Sequence, residues 1–326
     1  MSVDYEPLDL NEVQTESDRV NAENTNNSDE FLQKFVKLPE REGYVLMRFL
    51  PRKKGTKLYC ATRLHTLNNP ATNQKRQYHC PRQLDENGRW KGDCIICKYY
   101  SDLWQKSEGL SGKAQEDLQN KAREIKPNER YYYNVIVRQE KDPKTGEIVK
   151  NAGPKIYSCG KQVHGKILRA ITGDKAAGEA PLGDITNPVE GRDFRLVKKV
   201  VKSGPREFPN YDFSKFEEKS SAGTPDELEN WLTNLNDLQG LRKLKTEEEL
   251  RHALRVHLGM IREAGAEDTD LDEFRAASGL GTSSTISTAG TEVREELLTS
   301  SSDETSSSGD NEIMADDDFL AELQKM

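Results

Sequence analysis

The chain has 326 residues, 34% hydrophobic and 32% charged, with a formal net charge of −8. So polar a composition confines the packed core to part of the chain, and no apolar run approaches the ~20 residues that would cross a bilayer. The acidic start "MSVDYEPLDLNEV" is unlike a secretion signal, so a soluble, cytoplasmic protein is expected, with its five cysteines as thiols or metal ligands rather than disulfides.

Residues 1–40 carry 3 Lys and Arg against 10 Asp and Glu, and residues 1–30 of them, with little apolar periodicity, are expected to be disordered or weakly helical. Within them "DEFLQKFVKL" places Phe31, Leu32, Phe35 and Val36 on an apolar helical stripe, a candidate for self-association. Residues 41–220 reverse the sign, with 36 basic against 22 acidic side chains, as expected of a body that binds a polyanion. Strands are predicted at "EGYVLMRFLP" (42–51), "RYYYNVIVRQ" (130–139), "PKIYSCG" (154–160) and "DFRLVKKVVK" (193–202). The stretch from Cys97 to Ile125 reads as helix-rich, and "GKQVHGKILRAIT" puts Val163, Ile167, Leu168 and Ile171 on one helical face. A few strands joined by long irregular connections predict a mainly β fold with inserted helices, a small barrel rather than a parallel doubly wound sheet.

After Lys219, "TPDELENWL" opens a helix with Thr224 as cap, Pro225 in the first turn and Glu227 three residues after the cap. Residues 221–277 are read as a helical extension, with helix continuing, broken, to about Gly259. From residue 278 the Ser/Thr/Gly-rich chain cannot bury enough surface to fold, and residues 278–326 are read as a flexible acidic tail. Residues 221–326 carry 9 basic against 24 acidic side chains, so the tail can compete for the basic body. At its tip, Phe319, Leu320 and Leu323 lie among Asp316, Asp317, Asp318 and Glu322 as a motif for a basic, hydrophobic partner groove.

His65, Cys80, Cys94 and Cys97 are the best set of metal ligands, since zinc takes four nitrogen or sulfur donors and a Cys-x-x-Cys knuckle supplies two from one turn. His79 is an alternative to its neighbour Cys80, while Cys60 and Cys159 occupy strand-like contexts that suit buried thiols. The ligand set requires no open position, so one structural zinc is expected. Aromatic residues gather around the knuckle (Trp90, Tyr99, Tyr100, Trp104), in Tyr131, Tyr132 and Tyr133, and at Phe208 and Tyr211. Bases stack on aromatic faces while cations follow the phosphates, and Arg48, Arg52, Lys53, Lys57 and Arg130 are the candidate cations near the first two strands. Adjacent strand residues point to opposite faces, so Tyr131 with Tyr133, or Tyr132 alone, can face a nucleic acid.

In order along the chain, "VLMRFLP", His65, Cys80, "CIIC", "DLW", "YYYNVIV", "IYSCGKQVHGKI" and "FPNYDFSKF", followed by an acidic tail, resemble the single-stranded DNA-binding, helix-destabilising proteins of T-even phages. The resemblance covers roughly residues 43–218 and the character of the tail. It implies an OB-fold core over residues 41–220 with a zinc-bearing subdomain at about 60–130. It further implies an electropositive cleft for single-stranded DNA, and an acidic tail recruiting replication and recombination proteins such as polymerase, helicase loader and recombinase. By motif, His65, Cys80, Cys94 and Cys97 match the zinc ligands, and Trp90, Trp104, Tyr132, Tyr157, Phe208 and Tyr211 match aromatic cleft positions, with Trp for Tyr at the first two. The family's short basic amino terminus, which drives cooperative binding, has an acidic and longer counterpart here. No Walker loop, HExxH or acidic metal cluster appears in the basic core. The expected function is therefore binding without catalysis, in phage replication, recombination and repair within an infected bacterium, with a zinc-stabilised RNA-binding or translational regulator as the alternative and a nuclease as a distant third.

Overall fold

The structure, a computed structural model, describes residues 31–141, 147–204 and 206–261. It is a mainly β, antiparallel architecture with several helices: β1 (Gly43–Phe49), β2 (Tyr59–Asn69), β3 (Gln74–His79), β4 (Gln83–Leu84), β5 (Trp90–Lys91), α1 (Ile95–Glu108), α2 (Gly112–Glu124), β6 (Asn128–Lys141), β7 (Ile148–Gly160), α3 (Lys161–Thr172), β8 (Arg192–Ser203), β9 (Arg206–Asn210), β10 (Lys215–Lys219), α4 (Pro225–Thr233) and α5 (Glu247–His257). The main sheet runs β10-β8-β1-β6-β2-β3, with β7 added to β6 and β9 to β8; β4 and β5 pair separately.

The centre is β6, which has three partners. Residues Arg130–Lys141 pair with β7, while Tyr133–Asn128 meet β2 and Val135–Val137 meet β1. Asn134 marks the junction: its carbonyl accepts from the Leu50 amide, and its side chain exchanges hydrogen bonds with Asn236. Both faces of β6 are covered. Tyr131, Tyr133, Val135 and Val137 join Met47, Phe49, Tyr157, Phe194 and Leu196 in the main apolar cluster, which α3 closes with Val163 and Ile167. Tyr132 and Ile136 point the other way, into clusters built from Phe35, Cys60, Ile156, Leu238 and Leu241, and from Leu50, Ala222 and Trp231.

Three expectations change at this point. Tyr132 and Tyr157, expected in the strand-binding cleft, are 0% and 1% exposed and offer no ring face to a base. Arg48, expected to face phosphates, is 0% exposed. Strand alternation turns it to the face opposite Met47, where Asp193 pairs with its Nε at 2.8 Å and Ser220 and Asn187 accept from the rest of the guanidinium. Arg138 pairs with the same carboxylate at 2.8 Å, so one acid holds two arginines from two strands. The stripe expected to self-associate is used within the chain: Phe35 and Val36 are buried, and the backbone of residues 34–36 hydrogen-bonds Ile156 on β7.

The extension after β10 wraps the sheet. Thr224 and Glu227 form the capping box that starts α4, whose Trp231 is buried against Ile136 and Leu50. A second box, Thr246 with Glu249, starts α5, which lays Leu250, Ala253 and Leu254 on a second core that also holds Cys80, Cys94 and Cys97. No helix of the described residues is long and apolar enough to cross a membrane.

Candidate metal centre and nucleic-acid interface

β2 belongs to two bodies. Up to Leu64 it pairs with β6, and from Leu64 onward with β3. The switch changes which side is covered, so buried positions run Cys60, Thr62, Leu64 and then His65, Leu67, Asn69. His65 thus enters a second core with Cys80 from the end of β3, Cys94 at the cap of α1 and Cys97 in its first turn.

The four ligand atoms all lie within 4.8 Å of one another, and all four residues are buried. Cys80 Sγ is 3.6 Å from Cys97 Sγ, and His65 Nε2 lies 3.5 Å from Cys94 Sγ and 3.4 Å from Cys97 Sγ. A tetrahedral ion with bonds of about 2.3 Å to sulfur and about 2.0 Å to nitrogen would set these edges at about 3.8 and 3.5 Å. The residues therefore fit a bound metal ion. His65 Nδ1 lies 3.1 Å from the Ile125 carbonyl, which can only accept, so Nδ1 carries a proton and Nε2 is the nitrogen that a metal would take. Burial disfavours the charged imidazole, yet hydrogen bonds and charge from Cys80 and Cys94 outweigh it and raise His65 to about 9. Hydrogen bonds with Cys80 and Cys97 hold the Cys94 thiol far below its usual range, while Cys80 and Cys94 push Cys97 up. The cluster competes internally for protons that a metal would displace.

The alternative donors are elsewhere. His79 Nδ1 is 3.0 Å from Thr62 Oγ1, and burial lowers its pKa to about 4. Cys60 lies 3.6 Å from Gln239 Oε1, its thiol pushed by burial up to about 11, and Cys159 belongs to the main core.

Beyond β1 the chain forms an exposed basic loop. Arg52, Lys53 and Lys57 all face solvent, and the loop is held by Arg52 donating to the Thr56 carbonyl at 2.9 Å and Thr56 Oγ1 donating to the Lys53 carbonyl at 2.7 Å. A pocket of about 240 Å³ between this loop, Tyr59, Asn134 and residues 235–239 lies on one side of it. One of about 530 Å³, lined by Arg52, Leu58, Ile171 and Ile185, lies on another.

Tyr59, beside the loop, belongs to a chain of ring and charge contacts that runs over the paired β2 and β6 to Trp90. Half-buried Trp90 donates Nε1 to Glu129 at 3.0 Å, and the Arg63 guanidinium lies 4.6 Å over its ring while pairing with the same carboxylate at 2.8 Å. Glu129 also accepts from Tyr131, which stacks on His164, and His164 meets half-buried Tyr59 edge on. Tyr59 and Arg63 were missed from sequence, because β2 alternates polar and apolar residues without a recognisable apolar run. A ring at the rim of a strand paired with an arginine four positions on was the available signal.

The remaining predicted residues are scattered. Trp104 is half-buried in the metal lobe, 6.4 Å from Tyr100 and with the Arg123 guanidinium 5.8 Å over its ring. Arg130 is half-buried, with its guanidinium against Gly160. Tyr211 packs on the edge of the main core, and Phe208 is 42% exposed on β9 opposite Val201. The acidic tip from Asp316 to Leu323 lies outside the described residues.

Compared with known proteins, the chain finds no match among curated proteins. Residues 41–257 match the family model described as "gp32 DNA binding protein like", which takes in the basic loop, the four-ligand cluster, the sheet and the wrapping extension. The chain belongs to the gp32-like DNA-binding protein family.

Proposed function

We propose that the protein is a sequence-tolerant single-stranded DNA-binding protein that acts by mass action, coating unpaired strands and melting weak secondary structure. The observation that carries this is the juxtaposition of the exposed Arg52, Lys53 and Lys57 loop with the Tyr59, Arg63 and Trp90 row, in a chain of a DNA-binding family. Cations on a loop meet phosphates while the ring faces beside them meet bases, which is how unpaired strands are held without reading sequence. Trp104, Arg130, Phe208 and Tyr211 are assigned to flanking parts of the same path.

In this reading the sheet is an OB-type barrel, supported by the edge of β6 that β1 and β2 share and by the main apolar cluster that β1, β6, β7 and β8 enclose. The metal is one zinc, supported by the all nitrogen and sulfur donor set; when bound it supplies cross-linking of β2, β3 and α1 rather than chemistry. The acidic tail recruits replication and recombination proteins in the cytoplasm of an infected bacterium, and its charge opposite to the body supports a competitor role at low salt. Competition of fluorescent oligo-dT with unlabelled oligo-dT, RNA and duplex DNA of equal length tests the function. The expected order is oligo-dT above RNA, with duplex weakest. Preference for RNA would favour the regulator reading, and equal binding of duplex would end both.

A further inference from the structure

The outward face of β8 carries a second set of rings and cations that the proposed path does not use. Strand alternation buries Phe194 and Leu196 in the main core and turns Arg195, Val197, Lys199 and Val201 outward. Tyr44 on β1 is in register with Val197 and is 61% exposed, and Phe213 in the loop before β10 is 62% exposed. Each ring has a cation over it: Arg195 at 4.7 Å from the Tyr44 centroid and Lys199 at 4.2 Å from that of Phe213. Phe208, opposite Val201 and assigned above to the flank of the first path, borders this face without belonging to the second set.

We propose that this face, centred on Tyr44 and Phe213, is a second stacking platform for single-stranded nucleic acid, reached from the first by way of Tyr211. The proposal rests on the strand-binding reading above. Continuity comes from the loop 211–214, which Lys166 pins to α3 by donating to the carbonyls of Tyr211 at 3.3 Å, Asp212 at 2.6 Å and Ser214 at 3.2 Å. So held, the loop packs Tyr211 on the core while Phe213, two residues on, turns out beneath Lys199.

Charge favours a polyanion over a protein partner. The nearby carboxylates are engaged: Glu217 with Arg195, Glu207 with Arg41 and Lys202, and Asp212 with Gln162 and Asn210. Lys199 and Lys215 are exposed and make no ion pair among the described residues, and the Lys199 ammonium lies over the Phe213 ring. Tyr44 lies near the opposite end of β1 from the basic loop, and the six positions from Tyr44 to Leu50 separate the two by roughly 20 Å. The platform therefore takes bases that a strand of only a few nucleotides, bound at the first site, leaves out.

The test uses the full chain with oligo-dT of about 6 and about 20 nucleotides, one near the lower end and one beyond the upper end of the site sizes of OB-type domains. Tyr44→Ala with Phe213→Ala should weaken the long oligomer about tenfold or more and leave the short one unchanged, since two stacks are lost only from the long complex. Both rings are exposed, so the melting temperature should hold. Ultraviolet cross-linking of the long oligomer to the unaltered chain gives a readout free of any folding defect, with adducts expected on peptides containing Tyr44 or Phe213. Unchanged affinity at both lengths, or cross-links confined to the basic loop and Trp90 region, would overturn the platform while leaving the first site intact. Failure of the unaltered chain to bind either oligomer would instead remove the reading on which the platform rests.

Discussion

Tyr131 and His164 lie face to face, their ring centroids 3.5 Å apart and their planes 6° from parallel. Tyr133 places its hydroxyl 2.6 Å from His164 Nδ1, Tyr59 meets the ring edge on, and Glu129 is the nearby charge. Burial lowers the His164 pKa to about 4 against the opposing pull of Glu129. Its unfolded value is near 6.5, so between these pH values the unfolded chain binds the extra proton and folding is weakened as pH falls. The contribution is fully present above about pH 6.5 and is lost towards pH 4. Denaturant melts of the unaltered chain and His164→Gln from pH 7 to 4 should show a shallower acid loss in the variant. Parallel pH profiles would refute it.

The metal cluster predicts one zinc per chain by elemental analysis of protein purified without chelator. Because binding ties β2, β3 and α1 together, its free energy is partly folding free energy. Cys94→Ser and Cys97→Ser should each lose the metal and lower the melting temperature by several degrees. Cys60→Ser, outside the cluster, should keep both the metal and most of the stability. A metal-free preparation with an unchanged melt would show that the four side chains are only a buried polar core.

The sequence carried the metal set and four of the strands, because ligands and β-branched runs announce themselves one residue at a time. It was silent on β2 and β3 as a hairpin, since their buried positions include Thr62, His65, Asn69, Gln77 and His79, which an apolar pattern does not register. It also misplaced Tyr132 and Tyr157. The unbroken run "YYYNVIV" belongs to a strand covered on both faces, and that depends on the extension, through Leu238 and Trp231, reaching the second face from a hundred residues away in sequence. For the same reason the apolar stripe at Phe35 and Val36 looked exposed when its partner, Ile156, was distant in the chain.

The Arg48, Asp193 and Arg138 network separates stability from binding. Asp193→Ala leaves two guanidinium groups without their carboxylate, one of them fully buried, and should cost about 3–5 kcal/mol. Arg48→Met removes one partner while Asp193 keeps Arg138, so it should cost less. Measured well below the melting temperature, oligo-dT affinity of Arg48→Met should stay within about twofold of the unaltered chain. A selective loss of affinity with an unchanged melt would return Arg48 to the binding surface.

Phosphate contacts and base stacks leave different signatures in salt. Each phosphate neutralised on a single strand contributes about −0.7 to the slope of log affinity against log salt, because condensed counterions are released. Replacing Arg52, Lys53 or Lys57 by Ala, all exposed and on one loop, should therefore flatten the slope by about 0.7 for each side chain that contacts phosphate. Trp90→Ala should act differently: loss of a stack weakens binding by about 1–3 kcal/mol with the slope unchanged, provided its ring and not its hydrogen bond to Glu129 is what matters. Trp90→Phe, which keeps a stacking face and drops the Nε1 donor, distinguishes the two and should retain most of the affinity. If all three loop variants lowered affinity without touching the slope, the loop would be a structural neighbour of the site and the phosphates would be held elsewhere on the basic body.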